Sequence, residues 1–322
     1  MERFRVAHLS DLHVGEPINA LGITDWKYAP QYPLSIKRGL GPSTYNPQIL
    51  DAAILRLYQM HPSLDALLFS GDLATTGGRY DLQLAASALT APAASAHRAA
   101  SGRATFAALA GVIQMVFPGN HDRFQGISQQ PGGTQFDATF LPPRWNPSLG
   151  MDAWVMQKGA EELAIVAGDL CLLGMVDADG ALGWLGQGKA YPAVVDAMVK
   201  ETAAQRKRSS RRAVAWAVHF PPEFAGIEPN LKLVNEANLI AAAQVSGIEH
   251  IFCGHTHDRR SYPAASTASI NIHCGGTLSQ YCAPQASGNC FDVFEIDVDA
   301  GVITSCAAQT YTWKGGFLGF QP

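Results

Sequence analysis

Short apolar runs that end in polar, glycine-containing turns recur along this chain of 322 residues. The first three are FRVAHLS at 4–10, LDALLFS at 64–70 and VIQMVFP at 112–118. Continuous apolar runs of this length are typical of strands that are buried on both faces of a sheet. Segments of helical character separate the early runs, which predicts mostly parallel strands, whereas the late runs follow one another directly, which predicts antiparallel hairpins. The pattern therefore indicates an α/β fold in which two sheets are covered by outer helices.

The remaining predicted strands lie at 163–168, 170–176, 213–220, 248–253, 269–274, 290–298 and 302–308. Helices are predicted at 47–60, within 79–110, at 190–207 and at 236–246. Asn46 with Pro47 is a favourable N-cap and first-turn pair, and Asn235 and Gly247 are expected to begin and end the last helix.

The length permits a single domain spanning 1–322, because α/β enzymes of this size often form one domain. Two long segments, about 15–45 and 123–161, are predicted to be irregular insertions, and loops of that length are usually functional or mobile. The apolar, glycine-rich segment 311–322 is expected to pack on the body of the domain or on a second subunit. The protein could therefore be a monomer or an oligomer.

Charge and hydropathy exclude several classes of protein. Only 16% of the residues are charged and the formal net charge is −4, which argues against a nucleic-acid partner. The one dense basic cluster, 206–212, is interpreted as a solvated loop, with a phosphate-binding patch as the alternative. No apolar run reaches 18 residues, so no membrane partner is expected, and the N-terminus lacks an apolar signal core, which favours a cytoplasmic location.

The six cysteines lack the CxxC spacing of metal or redox motifs and are interpreted as mostly buried thiols. One disulfide bridge among Cys274, Cys282 and Cys290 is the alternative.

Polar side chains follow five of the predicted strands. We call the segments at these strand ends tips. They are Asp11-Leu12-His13, Gly71-Asp72, Gly119-Asn120-His121-Asp122, His219 and Gly254-His255-Thr256-His257. Sites in open α/β sheets form at the carboxyl ends of strands, so these tips are expected to converge. Each motif alone is weak, and a single strand-end histidine such as His219 is more often a satisfied polar residue than a ligand.

The residue types at these tips match a metal site. Carboxylate, imidazole and amide groups together suit Mn, Fe or Zn better than Mg or Ca. The seven candidate ligands are more than one tetrahedral zinc with an open position needs, but they suit two ions about 3.5–4 Å apart that share a carboxylate. These ligands are Asp11, His13, Asp72, Asn120, His219, His255 and His257. Gly71, Gly119 and Gly254 would let the backbone turn sharply beside them.

The ordered motifs DLH, GDLA, GNHD, HFPP and GHTH resemble those of the calcineurin-like metallophosphoesterase superfamily. The resemblance runs from about residue 4 to about residue 298, and its motif style is closest to the class III cyclic-nucleotide phosphodiesterases. It implies a four-layer α/β/β/α sandwich and a dinuclear centre of Mn and/or Fe, with Zn as another possibility.

The resemblance also implies a role for each residue of the motifs. Asp11, His13 and His257 would hold the first ion, Asn120, His219 and His255 the second, and Asp72 would bridge the two. His121 would be the catalytic group rather than a ligand. Many relatives carry an acidic residue where this chain has Thr75, which leaves open what orients His121, and Asp122 is one candidate. Arg123 and Arg259 are close enough in sequence to bind the substrate phosphate, with a surface charge as the alternative.

The expected reaction is hydrolysis of a phosphodiester bond in a small molecule such as a cyclic nucleotide, by attack of a hydroxide between the two metal ions. A phosphomonoesterase or a nucleotide pyrophosphatase of the same fold is the alternative. A metal-binding scaffold without catalysis would predict a broken ligand set or the loss of His121, and the sequence shows neither.

Overall fold

The computed structural model describes residues 1–15, 46–75, 77, 79–90, 105–106, 109, 111–123, 132–140, 150–171, 186–279, 288–315 and 318–322. The strands β1 to β14 are Glu2–Leu9, Ala66–Phe69, Ile113–Val116, Met151–Lys158, Glu161–Gly168, Gly188–Lys189, Arg212–Val218, Leu233–Val234, His250–Cys253, Arg260–Ala264, Thr267–Cys274, Cys290–Asp299, Val302–Trp313 and Phe320–Gln321. The helices α1 to α6 are Pro47–Met60, Arg79–Thr90, Asn120–Arg123, Gly132–Phe140, Pro192–Arg208 and Glu236–Val245.

Two six-stranded sheets organise these elements. The first sheet has the order β14-β13-β12-β1-β2-β3, with β1, β2 and β3 parallel and the late strands β12 to β14 antiparallel. The second sheet has the order β10-β11-β9-β7-β5-β4, in which the four central strands are parallel and the two edge strands are antiparallel. The prediction of parallel early strands and antiparallel late strands is therefore confirmed, except that β11 runs parallel to β9.

Alternating side chains of each sheet face two different apolar layers, because successive residues of a strand point to opposite faces. Leu67 and Phe69 of β2 pack against helices α1 and α2, while Ala66 and Leu68 face the second sheet. Helices α5 and α6 cover the outer face of the second sheet, where Trp216 and Ile251 are buried. The result is the expected four-layer α/β/β/α sandwich.

Helix α1 has the bounds that the sequence predicts. The side chain of Asn46 accepts hydrogen bonds from the backbone N–H groups of Gln48 (3.0 Å) and Ile49 (3.4 Å), as an N-cap residue should. Helix α6 also begins after Asn235, but that residue has a left-handed backbone and makes no side-chain cap bond, so the capping argument for it was wrong.

The expectation that 123–161 is irregular was wrong for much of its length. Helix α4 occupies 132–140, and β4 forms the antiparallel edge of the second sheet beside β5. The predicted insertion at 15–45 lies outside the described residues from 16 onward, as does the predicted strand at 170–176 from 172 onward.

Cys274 and Cys290 are free buried thiols, so no disulfide joins these two, and Cys282 lies outside the described residues. None of the described helices is long and apolar enough to cross a membrane.

Candidate metal centre

The five polar tips meet at one end of the sandwich, where strands of both sheets finish. Backbone hydrogen bonds connect neighbouring tips: the N–H of Asp11 donates to the carbonyl of Gly71 (3.1 Å), and that of Gly254 donates to the carbonyl of His219 (2.9 Å). Residues from widely separated parts of the chain are thereby held in one cluster, as the sequence predicts.

Five of the converging residues have the left-handed backbone conformation that side chains rarely adopt. Their φ angles are 54° for Asp11, 49° for His13, 52° for Asp72, 74° for His255 and 57° for His257. Conformations of this kind cost free energy and tend to occur at functional sites, where the surrounding structure holds them.

Two glycines allow the tips to approach closely. A Cβ atom on Gly119 would lie 2.5 Å from the backbone nitrogen of Asp72 and 2.7 Å from Cε1 of His219. A Cβ atom on Gly254 would overlap the hydroxyl of Ser10. Close approach of neighbouring segments therefore accounts for Gly119 and Gly254, whereas of the three predicted glycines only Gly71, with φ of 94°, has the positive φ that favours a sharp turn.

One group of metal-ligating atoms is formed by Asp11, His13 and His257. The Nε2 atoms of His13 and His257 lie 3.0 Å apart, and Nε2 of His257 lies 3.2 Å from Oδ1 of Asp11. A second group is formed by Asn120, His219 and His255, in which Oδ1 of Asn120 lies 3.1 Å from Nε2 of His219 and 2.9 Å from Nδ1 of His255.

The carboxylate of Asp72 lies between the two groups. Its Oδ2 atom is 3.3 Å from Nε2 of His219 and 4.0 Å from Nε2 of His13. Its Oδ1 atom accepts a hydrogen bond of 2.8 Å from the backbone N–H of His121. One carboxylate therefore faces a histidine of each group, which is the arrangement that a shared ligand requires.

Backbone carbonyls fix the orientation of two of the rings. Nδ1 of His219 lies 2.7 Å from the carbonyl of Ser70, and Nε2 of His255 lies 2.9 Å from the carbonyl of Leu231. Each ring donates its N–H to that carbonyl, so the inward-facing nitrogen can present a lone pair, as in known metal-ligating histidines.

Burial and neighbouring charges set the protonation of the cluster. Burial, together with His121 and His257, lowers the pKa of His13 to about 3, which keeps the ring neutral. Burial opposes the charged form of His219, but Asp72 outweighs it and raises the pKa of His219 to about 10. A proton and a metal ion therefore compete for the same position beside Asp72.

One buried polar atom of the cluster supports occupation by a metal ion. Oδ1 of Asp11 is fully buried, and its nearest polar neighbour is Nε2 of His257 at 3.2 Å, with which it makes no well-aligned hydrogen bond. Unsatisfied buried carboxylate oxygens are costly. Together with the converging ring nitrogens, this donor set fits a metal ion.

His121 lies beside the cluster, with its ring centroid 4.7 Å from that of His13. Its Nδ1 atom lies 2.8 Å from the backbone carbonyl of Thr75, and this carbonyl, not Asp122, orients the ring. The carboxylate of Asp122 instead accepts hydrogen bonds from the backbone N–H groups of Leu73, Ala74 and Gly119, at 2.9–3.1 Å. Asp122 therefore connects the tip at Gly71-Asp72 to the tip that begins at Gly119. The suggestion that it orients His121 was wrong.

The geometry counts against the substrate-binding role predicted for Arg123. Its side chain is buried, with Nε 2.8 Å from Oδ2 of Asp169 and Nη2 2.6 Å from Oδ1 of Asp137. Arg259 is more exposed, at 29%, and its Nε atom contacts the buried carboxylate of Asp292 at 3.1 Å. Asp137 and Asp169 were not recognised from the sequence, because nothing in their local context marks them as partners of an arginine.

Residues 4–259 match the family described as calcineurin-like phosphoesterase. The chain belongs to this family. Membership of the family indicates a hydrolase of phosphoric esters, and the His and Asp groups above are candidates for binding the two metal ions on which the family depends. No curated protein sequence matches the chain.

Two similar solved structures support the fold. One is the purple acid phosphatase PPD1 from yellow lupin (Lupinus luteus) seeds, with a TM-score of 0.57 and 14% identity over 97% of this chain. This chain spans 52% of the length of that protein. The other is a dimetal phosphatase from Danio rerio, with a TM-score of 0.51 and 11% identity over 97% of this chain and 99% of that one. At these identities the likeness shows the fold alone.

Proposed function

We propose that this member of the family hydrolyses the phosphodiester bond of a small molecule such as a cyclic nucleotide. The observation that carries the proposal is the position of Asp72 between two sets of buried ligands, with His121 at their edge. The net charge of −4 and the absence of a basic stripe argue against a nucleic-acid substrate.

In the proposed centre Asp11, His13 and His257 hold one metal ion, and Asn120, His219 and His255 hold the other. Asp72 is shared between the two. Two Mn ions, or Mn with Fe, suit this mixture of imidazole, carboxylate and amide ligands, and Zn is another possibility. When bound, such ions activate water and neutralise the charge of the phosphate.

His121 is the proposed catalytic residue. Because its Nδ1–H donates to the carbonyl of Thr75, its Nε2 atom is the one available to the substrate. From there it can protonate the departing oxygen, or donate a hydrogen bond to a phosphoryl oxygen, without binding either metal ion. Arg259 is still proposed to contact the substrate phosphate, because its side chain is partly exposed. Arg123 is not, because its side chain is buried against two carboxylates.

The alternative is a phosphomonoesterase or a nucleotide pyrophosphatase with the same centre. The two similar structures above are both named phosphatases, which favours this alternative as the second candidate. We also propose that residues 1–322 form a single domain and that the protein is cytoplasmic.

Paired chromogenic substrates distinguish these functions. The protein, stripped of metal and reloaded with Mn, is expected to hydrolyse bis(p-nitrophenyl) phosphate with a higher kcat/KM than p-nitrophenyl phosphate. Activity should disappear on chelation and return with Mn. A higher kcat/KM for the monoester would favour the alternative, and no turnover of either substrate by the metal-loaded protein would refute both. A screen of cyclic nucleotides, dinucleotides and phospholipid diesters would then narrow the class of substrate.

A further inference from the structure

A second cluster of potential metal ligands lies between the two sheets, outside the candidate metal centre. It consists of His250 at the start of β9, His273 on β11 and Cys306 on β13. His250 pairs with Asn271 in the parallel register of β9 and β11, so His273 lies two residues further along on the same face. Cys306 pairs with Ile296 of the inter-sheet core, so its side chain points into the gap from the first sheet.

The three ligand atoms lie at distances that one small cation can span. Nδ1 of His250 is 3.0 Å from Nε2 of His273, which is 3.9 Å from Sγ of Cys306, and all three atoms lie within 4.8 Å of one another. A tetrahedral zinc ion requires about 3.3 Å between two nitrogen ligands and about 3.6 Å between nitrogen and sulfur. The separation of the two ring nitrogens and that between His273 and Cys306 are each within a few tenths of an ångström of these values.

Neighbouring residues orient the ring of His273, and burial keeps the rings of His250 and His273 neutral. Nδ1 of His273 lies 3.2 Å from the hydroxyl of Ser261, a contact that directs Nε2 toward the cluster. Phe252 stacks on the same ring at a centroid distance of 5.2 Å, and Phe294 meets it edge-on at 5.0 Å. Burial lowers the pKa of His250 to about 4 and that of His273, also beside His250, to about 3, so both rings are neutral at pH 7.

We propose that His250, His273 and Cys306 form a separate metal site for a borderline or soft cation, Zn²⁺ or Cu⁺. Two imidazole nitrogens with one thiolate are the donor set that such ions prefer, and carboxylate-binding ions such as Mg²⁺ would not compete well for it. Binding converts the thiol of Cys306 to a thiolate, which releases one proton per ion, and the neutral rings lose none. Cys306 is partly exposed, and because burial raises the pKa of its thiol to about 12, the metal ion has to displace that proton.

The position of the site indicates what the ion does. Two of its ligands belong to the second sheet and one to the first, so the ion would link the two central layers of the sandwich. A structural role of this kind is independent of the proposed hydrolysis, because none of the three residues belongs to the candidate metal centre.

Cobalt substitution separates this site from the other metal positions. The ligands proposed for the candidate metal centre include no thiolate, so thiolate-to-Co²⁺ charge-transfer absorption reports this site alone. Tag-free protein, stripped of metal and titrated with Co²⁺, is expected to show that absorption with one equivalent of thiolate-bound Co²⁺. The absorption should be lost in Cys306→Ser and retained in Cys290→Ser, which removes a thiol elsewhere on the first sheet. Circular dichroism verifies that both variants are folded.

X-ray absorption of the zinc-loaded wild type gives a readout that needs no variant. A sulfur shell at about 2.3 Å is expected, together with nitrogen ligands at about 2.0–2.1 Å. Zinc affinity at this site should fall at least about tenfold in His250→Asn. Persistence of the charge-transfer absorption in Cys306→Ser, or the absence of a sulfur shell in the zinc-loaded wild type, would overturn the proposal. Neither result depends on whether the protein hydrolyses phosphate esters.

Discussion

Replacement of Arg123 by methionine tests whether this residue supports the fold or binds substrate. Its side chain is only 5% exposed, and its guanidinium contacts the carboxylates of Asp137 and Asp169. Arg123→Met keeps much of the apolar stem but leaves both carboxylates without their cation. Breaking a buried ion pair in this way typically costs about 3–5 kcal/mol. For a chain of this length that corresponds to a fall in Tm of about 4–7 °C.

Thermal unfolding of Arg123→Met, compared with Arg208→Met, measures this cost. Arg208 pairs with Glu201 at 3.2 Å, but its side chain is 59% exposed, so the control should lose under about 1 kcal/mol. Adding Asp169→Asn to Arg123→Met should recover part of the loss, because it removes one of the carboxylates left uncompensated. KM of the folded variant should stay within about twofold of the wild type. An unchanged Tm with a tenfold rise in KM would refute the structural role and restore Arg123 as a substrate ligand.

Three further changes test the candidate centre and the core beside it. His121→Ala should lower kcat by about 10²–10⁴-fold while elemental analysis still finds the full metal content, and a loss of metal would show that His121 is a ligand. Gly119→Ala should reduce the metal content, since its Cβ would displace Asp72, and full occupancy would refute the steric argument. Burial lowers the pKa of His8 to about 4 against 6.5 when unfolded, so below pH 6.5 the unfolded chain binds a proton that the folded protein does not. In urea titrations the metal-free wild type should therefore lose about 2 kcal/mol more stability than His8→Gln between pH 7 and pH 5, and equal losses would contradict this.

The sequence predicts the layers and the convergence of the tips because both follow from local patterns. Continuous apolar runs mark buried strands wherever they occur, and the carboxyl ends of parallel strands meet at one edge of a sheet. Strands at the sheet edges are harder to recognise. β10 is largely exposed and contains Pro263, which is tolerated in an edge strand but does not indicate one. β4 mixes apolar residues with Asp152 and Gln157, so it lacks a clear alternation.

Contacts between distant residues could not be predicted from local patterns. Arg123 and Asp169 are 46 residues apart, and only the fold brings them together. The group that orients His121 is the backbone carbonyl of Thr75. Every residue has a backbone carbonyl, so the sequence does not mark the one that takes this role. His273 and Cys306 lie 33 residues apart, and neither has a local sequence pattern that marks it as a ligand before the two sheets place them side by side.

The left-handed residues of the candidate centre indicate that this end of the sandwich is built for ligands rather than for stability. If only the backbone mattered, glycine would be preferred at each of these five positions, because it adopts positive φ without strain. His257 allows the clearest test, since its φ is 57° and its side chain is 15% exposed. His257→Gly and His257→Ala remove the same imidazole, but only alanine keeps the strain, of about 1–2 kcal/mol. The greater freedom of glycine in the unfolded chain offsets about 0.4–1 kcal/mol of that difference. Urea unfolding of the metal-free variants should therefore find the glycine variant more stable by up to about 1.6 kcal/mol, and a more stable alanine variant would show that the strain is not there.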